Sequence, residues 1–74
     1  MKKEIHIPSY RIIWGKIRFY QSIHQLTDAQ LASFLNVGVR TLKDYDKNAQ
    51  TMSLGKLENF LTSTNMKIED FIAL

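Results

Sequence analysis

Cysteine is absent from this sequence, which removes both a disulfide framework and any thiolate metal site; that usage fits a reducing compartment and makes a cytoplasmic location the expectation. Proline occurs once and glycine three times, without low-complexity runs or internal repeats, so collagen-like and linker-like classes are excluded. Missing too is any apolar run long enough for a secretion signal or a membrane span. The opening MKKEIHIPSY carries two lysines and no hydrophobic stretch, so the chain is expected neither to be exported nor to cross a membrane. Catalytic signatures are equally scarce. His6 and His24 have no third ligand near them, and the carboxylate pairs Glu69-Asp70 and Asp44/Asp46 suit helix surfaces better than an acid/base couple. Neither Ser-His-Asp spacing nor a Gly-rich phosphate loop occurs, so no enzyme, metal, cofactor or small-molecule ligand is expected.

What is present is the composition of an ordinary small globule, 45% apolar and 23% charged over 74 residues. A chain this short makes one domain and buries only roughly 60% of its unfolded surface, which leaves no room for a deep substrate cleft. The formal charge of +3 and a pI near 9.4 are compatible with a nucleic-acid partner.

Periodicity predicts an all-α compact bundle of about five short helices after an N-terminal arm, residues 1–8. Pro8 sets an entry angle and Ser9 can cap a helix running from about Tyr10 to His24, with Ile13, Ile17, Tyr20 and His24 as its inward stripe. Thr27 caps a second helix, with Asp28 in its first turn and Leu31, Ala32 and Leu35 facing inward. Asn36-Val37-Gly38 then breaks the pattern with two residues tolerant of open or left-handed backbone around an apolar plug. A third helix runs from Val39 to about Lys47, burying Leu42 and Tyr45, and Asn48 stands where a left-handed C-terminal residue belongs. Ser53 caps a fourth helix containing Leu54, Leu57, Phe60 and Leu61, and a last short one carries Ile68, Phe71 and Ile72. Only Glu4 to Ile7 alternates, as an arm or one edge strand.

The run LTDAQLASFLNVGVRTLKDYDKN resembles the helix-turn-helix of phage-repressor and Cro type, the Xre family, at Leu26, Thr27, Leu31, Ala32, Leu35, Val37, Thr41, Leu42 and Tyr45. Ile17-Arg18 is similar to the Leu-Arg of that family's first helix, and the likeness reaches downstream through Ser53-Leu54 to Ile68-Glu69-Asp70-Phe71. It implies a lambda-repressor-like domain over residues 9–74 and a small sequence-specific transcriptional regulator whose partner is a double-stranded DNA operator. One helix of the pair would lie across the backbone while the other enters the major groove. Gly38 departs from the family's Ser or Thr cap, Asn36 and Asn48 from its turn glycines, and Asp46 from its common Glu.

With Leu42 and Tyr45 inward, Val39, Arg40, Lys43 and Asp44 turn outward as candidate base contacts. Arg40 suits the paired acceptors of guanine, Val39 a thymine methyl, and Asp44 a cytosine amino group unless it pairs with Arg40 at i, i+4. The resemblance sets Thr27, Asp28, Gly38, Thr41, Lys47, Asn48, Gln50 and Thr51 beside phosphates, where contacts position without specifying. Asp28 and Asp44 make that face less basic than the family pattern. Ile12, Trp14, Phe19 and Ile23 exceed what the first helix can bury, and form a candidate protein interface for a homodimer or a second regulatory protein. A protein-interaction module of the same fold, anti-repressor or antitoxin-like, therefore stands beside the regulator.

Overall fold

The computed structural model describes residues 6–74, and within them the chain is all-α. Five α-helices follow one another: α1 (Ser9–Ile23), α2 (Asp28–Leu35), α3 (Val39–Lys47), α4 (Leu54–Thr64) and α5 (Ile68–Ile72), with one turn of 3-10 helix over Ala49–Thr51 between α3 and α4. Most of the arm, including Glu4 of the candidate strand, lies outside the described residues; His6 and Ile7 have no regular structure.

Three of the connections are built alike. Gln25, Asn36 and Asn65 each adopt left-handed backbone, with φ of 55°, 59° and 57°. The next residue, Leu26, Val37 or Met66, donates its N–H back to the carbonyl of Gln21, Ala32 or Leu61 at 2.9–3.0 Å. This is the Schellman closure, in which a bond spanning six residues satisfies an end carbonyl and an apolar residue seals the corner. The third residue of each corner, Thr27, Gly38 or Lys67, is extended and begins the next helix. The chain thus turns in three residues at both ends of α2 and again before α5.

Caps account for where the helices begin. The Thr27 hydroxyl accepts from Gln30 N–H while the Gln30 side chain accepts from Thr27 N–H, a complete capping box. Ser53 accepts from Lys56 N–H. α1 differs from expectation: Pro8 occupies the cap without a side-chain bond, and Ser9 is already helical, as suits a proline whose fixed φ leads into a first turn. Asn48 differs too. Its φ is −161°, extended rather than left-handed, because its side chain accepts from Gln50 N–H and opens the 3-10 turn instead of closing α3.

Every helix contributes to one core. Ile17 of α1, Leu31 and Leu35 of α2, Leu42 of α3, Phe60 of α4 and Phe71 of α5 are almost wholly removed from solvent. Edge-to-face aromatic pairs run through it, Tyr20 on Phe60 and Phe60 on Phe71. Ala32, 3% exposed, keeps the α2 surface small where neighbouring helices approach. The inward face of α1 is rotated from the expected one. Trp14, Ile17 and Gln21 are buried, Ile13 and Tyr20 only partly, and His24 lies beyond the helix on the surface, its ring stacked on Tyr20. Leu54, Ile68 and Ile72 are exposed.

Candidate nucleic-acid interface

α3 is short, and its side chains divide cleanly. Leu42 and Tyr45 are buried, while Val39, Arg40, Lys43, Asp44 and Lys47 are exposed. At 3.6 residues per turn, Lys43, Lys47, Arg40 and Asp44 fall within an arc of about 100° centred opposite the buried pair. None of these four side chains forms a hydrogen bond or ion pair with another described residue, so of the two alternatives for Asp44 the pair with Arg40 is not made. Three cations and one carboxylate therefore stand on an outward face with their polar groups uncommitted.

Both ion pairs among the described residues belong to Arg18 of α1. Its Nε and Nη2 donate to the two carboxylate oxygens of Asp46 at 3.0 and 2.7 Å, and its Nη1 donates to Asp28 Oδ1 at 2.9 Å. Trp14 Nε1 donates to Asp46 Oδ1 at 2.8 Å. Gln21, the one buried polar side chain among the described residues, donates to Asp28 Oδ1 at 2.9 Å and to the Leu26 carbonyl at 3.1 Å, and accepts from Arg18 Nη1. The guanidinium also lies over the Trp14 ring, 5.4 Å from its centroid. One cation thereby ties α1 to the start of α2 and the end of α3.

The protonation behaviour follows from these bonds. Arg18, donating two bonds, holds the Asp46 carboxyl below the usual carboxylate range, with Trp14 adding to the effect. Asp28 is lowered first by Gln21 and then by Arg18, with Lys43 contributing at longer range. The bond to Asp46 raises the Arg18 pKa in turn. Burial alone raises that of the Tyr45 hydroxyl.

The corner between α2 and α3 is held from the other side by α4. Lys56 Nζ, Asn59 Nδ2 and Ser63 Oγ donate to the carbonyls of Asn36, Leu35 and Phe34, each at 3.2 Å. Three residues on one face of α4 thus satisfy three successive carbonyls at the end of α2, where a lysine also suits the negative end of the helix dipole.

Of the residues set beside phosphates by the resemblance, Gly38, Lys47, Asn48, Gln50 and Thr51 are exposed and Thr41 is half-buried. Thr27 is exposed, but its hydroxyl is engaged in the capping box. Asp28 is turned toward Arg18 and Gln21, which removes its carboxylate from the outward face. The candidate interface of α1 needs one correction. Ile12, Phe19 and Ile23 are 47%, 51% and 61% exposed, but Trp14 is 6% exposed and belongs to the core, edge-on to Tyr45. Counting apolar residues around the helix did not distinguish it, because the reason for its inward placement is the distant carboxylate of Asp46.

No protein-family model matches this chain, and neither a curated protein nor a solved structure matches it.

Proposed function

We propose that this chain is a small sequence-specific DNA-binding transcriptional regulator of Cro or repressor type that reads the major groove with α3. The observation that carries the reading is the uncommitted outward arc of Arg40, Lys43 and Lys47 on a helix fixed at both ends, by the Asn36–Gly38 corner and by Arg18. The acidic residues that weigh against phosphate binding are largely turned aside. Asp28 and Asp46 are both bound to Arg18, so of the three carboxylates on α2 and α3 only Asp44 shares the outward arc. Arg40 is the base-reading residue of choice, with Val39 against a thymine methyl and Asp44 toward a cytosine amino group. Lys47 at the end of α3, and Asn48, Gln50 and Thr51 beyond it, supply phosphate contacts together with the backbone at Gly38.

The experiment is a titration of labelled duplex fragments at several salt concentrations. Log affinity is expected to fall with log salt at about −0.9 per phosphate neutralised. Arg40→Ala is expected to lose ~1–3 kcal/mol at a selected operator and to relax preference at one base pair. Absence of binding to any fragment at low salt, or affinity indifferent to salt, rejects the proposal. The bare apolar face of α1 favours a second reading, a protein-interaction module; under it Arg40→Ala leaves DNA affinity unchanged and negligible.

A further inference from the structure

Four residues of α1 take no part in the core or in the Arg18 cluster, the exposed Ile12, Phe19 and Ile23 and the half-buried Lys16, at steps of four, three and four along the row 12, 16, 19, 23. They fall within an arc of about 60°, on the opposite side of the helix from Trp14, Ile17 and Gln21. Lys16 Nζ reaches sideways to the Leu74 carbonyl at 2.7 Å, which lets its methylene stem lie along the apolar row. The alternation of three and four is the seam of a helix that packs against another helix.

This spacing is also its own reverse. Read from either end it runs four, three, four, with isoleucine at both termini. We propose that a second copy of this chain packs its α1 antiparallel on this stripe, about a two-fold axis passing between Lys16 and Phe19. Ile12 then meets the partner's Ile23, and the methylene stem of Lys16 lies on the partner's Phe19. Such an interface is isologous, so each pairing occurs twice.

The surroundings fit that register. Beside Ile12 an apolar groove of about 310 Å³ lies open between α1, α4 and α5, walled by Ile12, Ile13, Leu57, Ile68, Phe71 and Ile72. The two-fold delivers the partner's Ile23 to this groove, which gives an occupant to the exposed Ile68 and Ile72, 47% and 63% accessible. The area is adequate. If a half-exposed large apolar side chain offers on the order of 100 Å², Ile12, Phe19, Ile23, Ile68 and Ile72 provide about 1,000 Å² across a pair, and a polar rim brings it to the ~1,200 Å² lower end of specific interfaces. No residue of the outward arc of α3 takes part, so the association is independent of the DNA reading and is tested without DNA.

Because the chain has no cysteine, single thiols can be introduced one at a time. Ile12→Cys and Ile23→Cys both alter exposed positions and spare the core. Mixed and mildly oxidised, the two variants are expected to form one cross-linked heterodimer, since facing positions come within disulfide reach. Each variant alone is expected to stay uncross-linked, because like positions then lie ~16 Å apart along the helix axis. In sedimentation velocity the full chain is expected to run as a dimer. Ile23→Asp should weaken association about ten-fold or more by burying a charge. Leu54→Asp, on the 80% exposed first residue of α4 outside the stripe, should leave it unchanged. A monomeric parent chain, cross-links between like positions, or an Ile23→Asp variant that remains a dimer each overturns the proposal.

Discussion

Replacing Asp46 by alanine is the most informative single perturbation of this fold, because one carboxylate serves two helices at once. Trp14 is 6% exposed and its indole N–H donates to Asp46 Oδ1 at 2.8 Å. Without that acceptor a buried donor is left unsatisfied, which costs about 1–3 kcal/mol. The bidentate pairing with Arg18 is a smaller matter. The side chains of Arg18 and Asp46 are 27% and 45% exposed, so solvent screening limits the pair to ~0–1 kcal/mol.

Asp46→Ala is therefore expected to destabilise the domain by about 1–4 kcal/mol, a large share of the ~5–15 kcal/mol a native domain possesses. For a chain of this size each kcal/mol moves the midpoint by roughly 4–8 °C, so Tm should fall by at least ~4 °C in thermal circular dichroism. Asp46→Asn separates the two contributions. It keeps an acceptor oxygen for the indole but loses the charge and the oxygen that accepts from Arg18 Nη2, and should cost about 1 kcal/mol. Asp44→Ala serves as the control two residues away, exposed and without a described partner, and is expected within about 0.5 kcal/mol of the parent. An Asp46→Ala protein melting within ~3 °C of the parent, or an Asn variant as unstable as the Ala variant, refutes the assignment of the cost to the indole bond.

Three further expectations concern other parts of the chain. Gly38 begins α3 at φ −81° and ψ 160°, almost the backbone of the working cap Ser53 at −82° and 160°, and a Cβ there meets nothing within 4 Å. Gly38→Ser should raise stability by a few tenths of a kcal/mol, read as a higher urea midpoint at unchanged m-value. Ala32→Phe should overpack the α2 contact and cost ~1–3 kcal/mol or more; an unchanged melting temperature would show that the helices do not meet at Ala32. Acid should loosen the Arg18 cluster in a defined direction. Asp28 and Asp46 have folded pKa values below the ordinary range, so their contribution is complete above the unfolded pKa of about 3.9 and is lost as pH falls through the lower folded values. The raised Arg18 pKa acts at the opposite extreme, its contribution disappearing only as pH rises through that folded value. Fluorescence of Trp14, the single tryptophan, should stay flat from pH ~8 to ~5 and change only below ~4.

The helices after the first were legible because their signals are local. A capping residue, apolar spacing and an open-backbone turn lie within ten or so residues of one another, and Thr27, Asn36-Val37-Gly38, Ser53 and the pairs Leu42 and Tyr45 fell where those signals put them. The corner that Asn36 announces recurs at Gln25 and Asn65. At Gln25 it was unreadable, since glutamine has no particular ease in left-handed backbone and the closing bond from Leu26 decides the matter. Asn48 shows the converse: a residue well suited to left-handed backbone uses its side chain as an acceptor instead. On α1 the difficulty was an excess of apolar residues. Ile12, Ile13, Trp14, Ile17, Phe19, Tyr20 and Ile23 surround the axis, so periodicity alone permits several inward faces. Trp14 was selected by Asp46, 32 positions away, and Gln21 by the carbonyl and carboxylate it bridges at the start of α2.

The same long-range pairing changes what a charge count says about the candidate DNA face. Along the sequence, α2 and α3 carry Asp28, Asp44 and Asp46 against Arg40, Lys43 and Lys47, a neutral set with no evident attraction for phosphate. In the fold a fourth cation enters from α1. Arg18 holds Asp28 and Asp46 together, leaving one net negative charge in that cluster at the edge facing α1 and two net positive charges on the outward arc of α3. Separation of this kind matters because fields at a surface decay within about 10 Å at moderate ionic strength. A polyanion laid along α3 would meet the lysines and Arg40 at contact distance, while the carboxylates near α1 are partly neutralised by the guanidinium they share. Arg18 is thus a brace whose position also sets the sign of the surface, and neither role can be inferred from its sequence neighbours, Ile17 and Phe19.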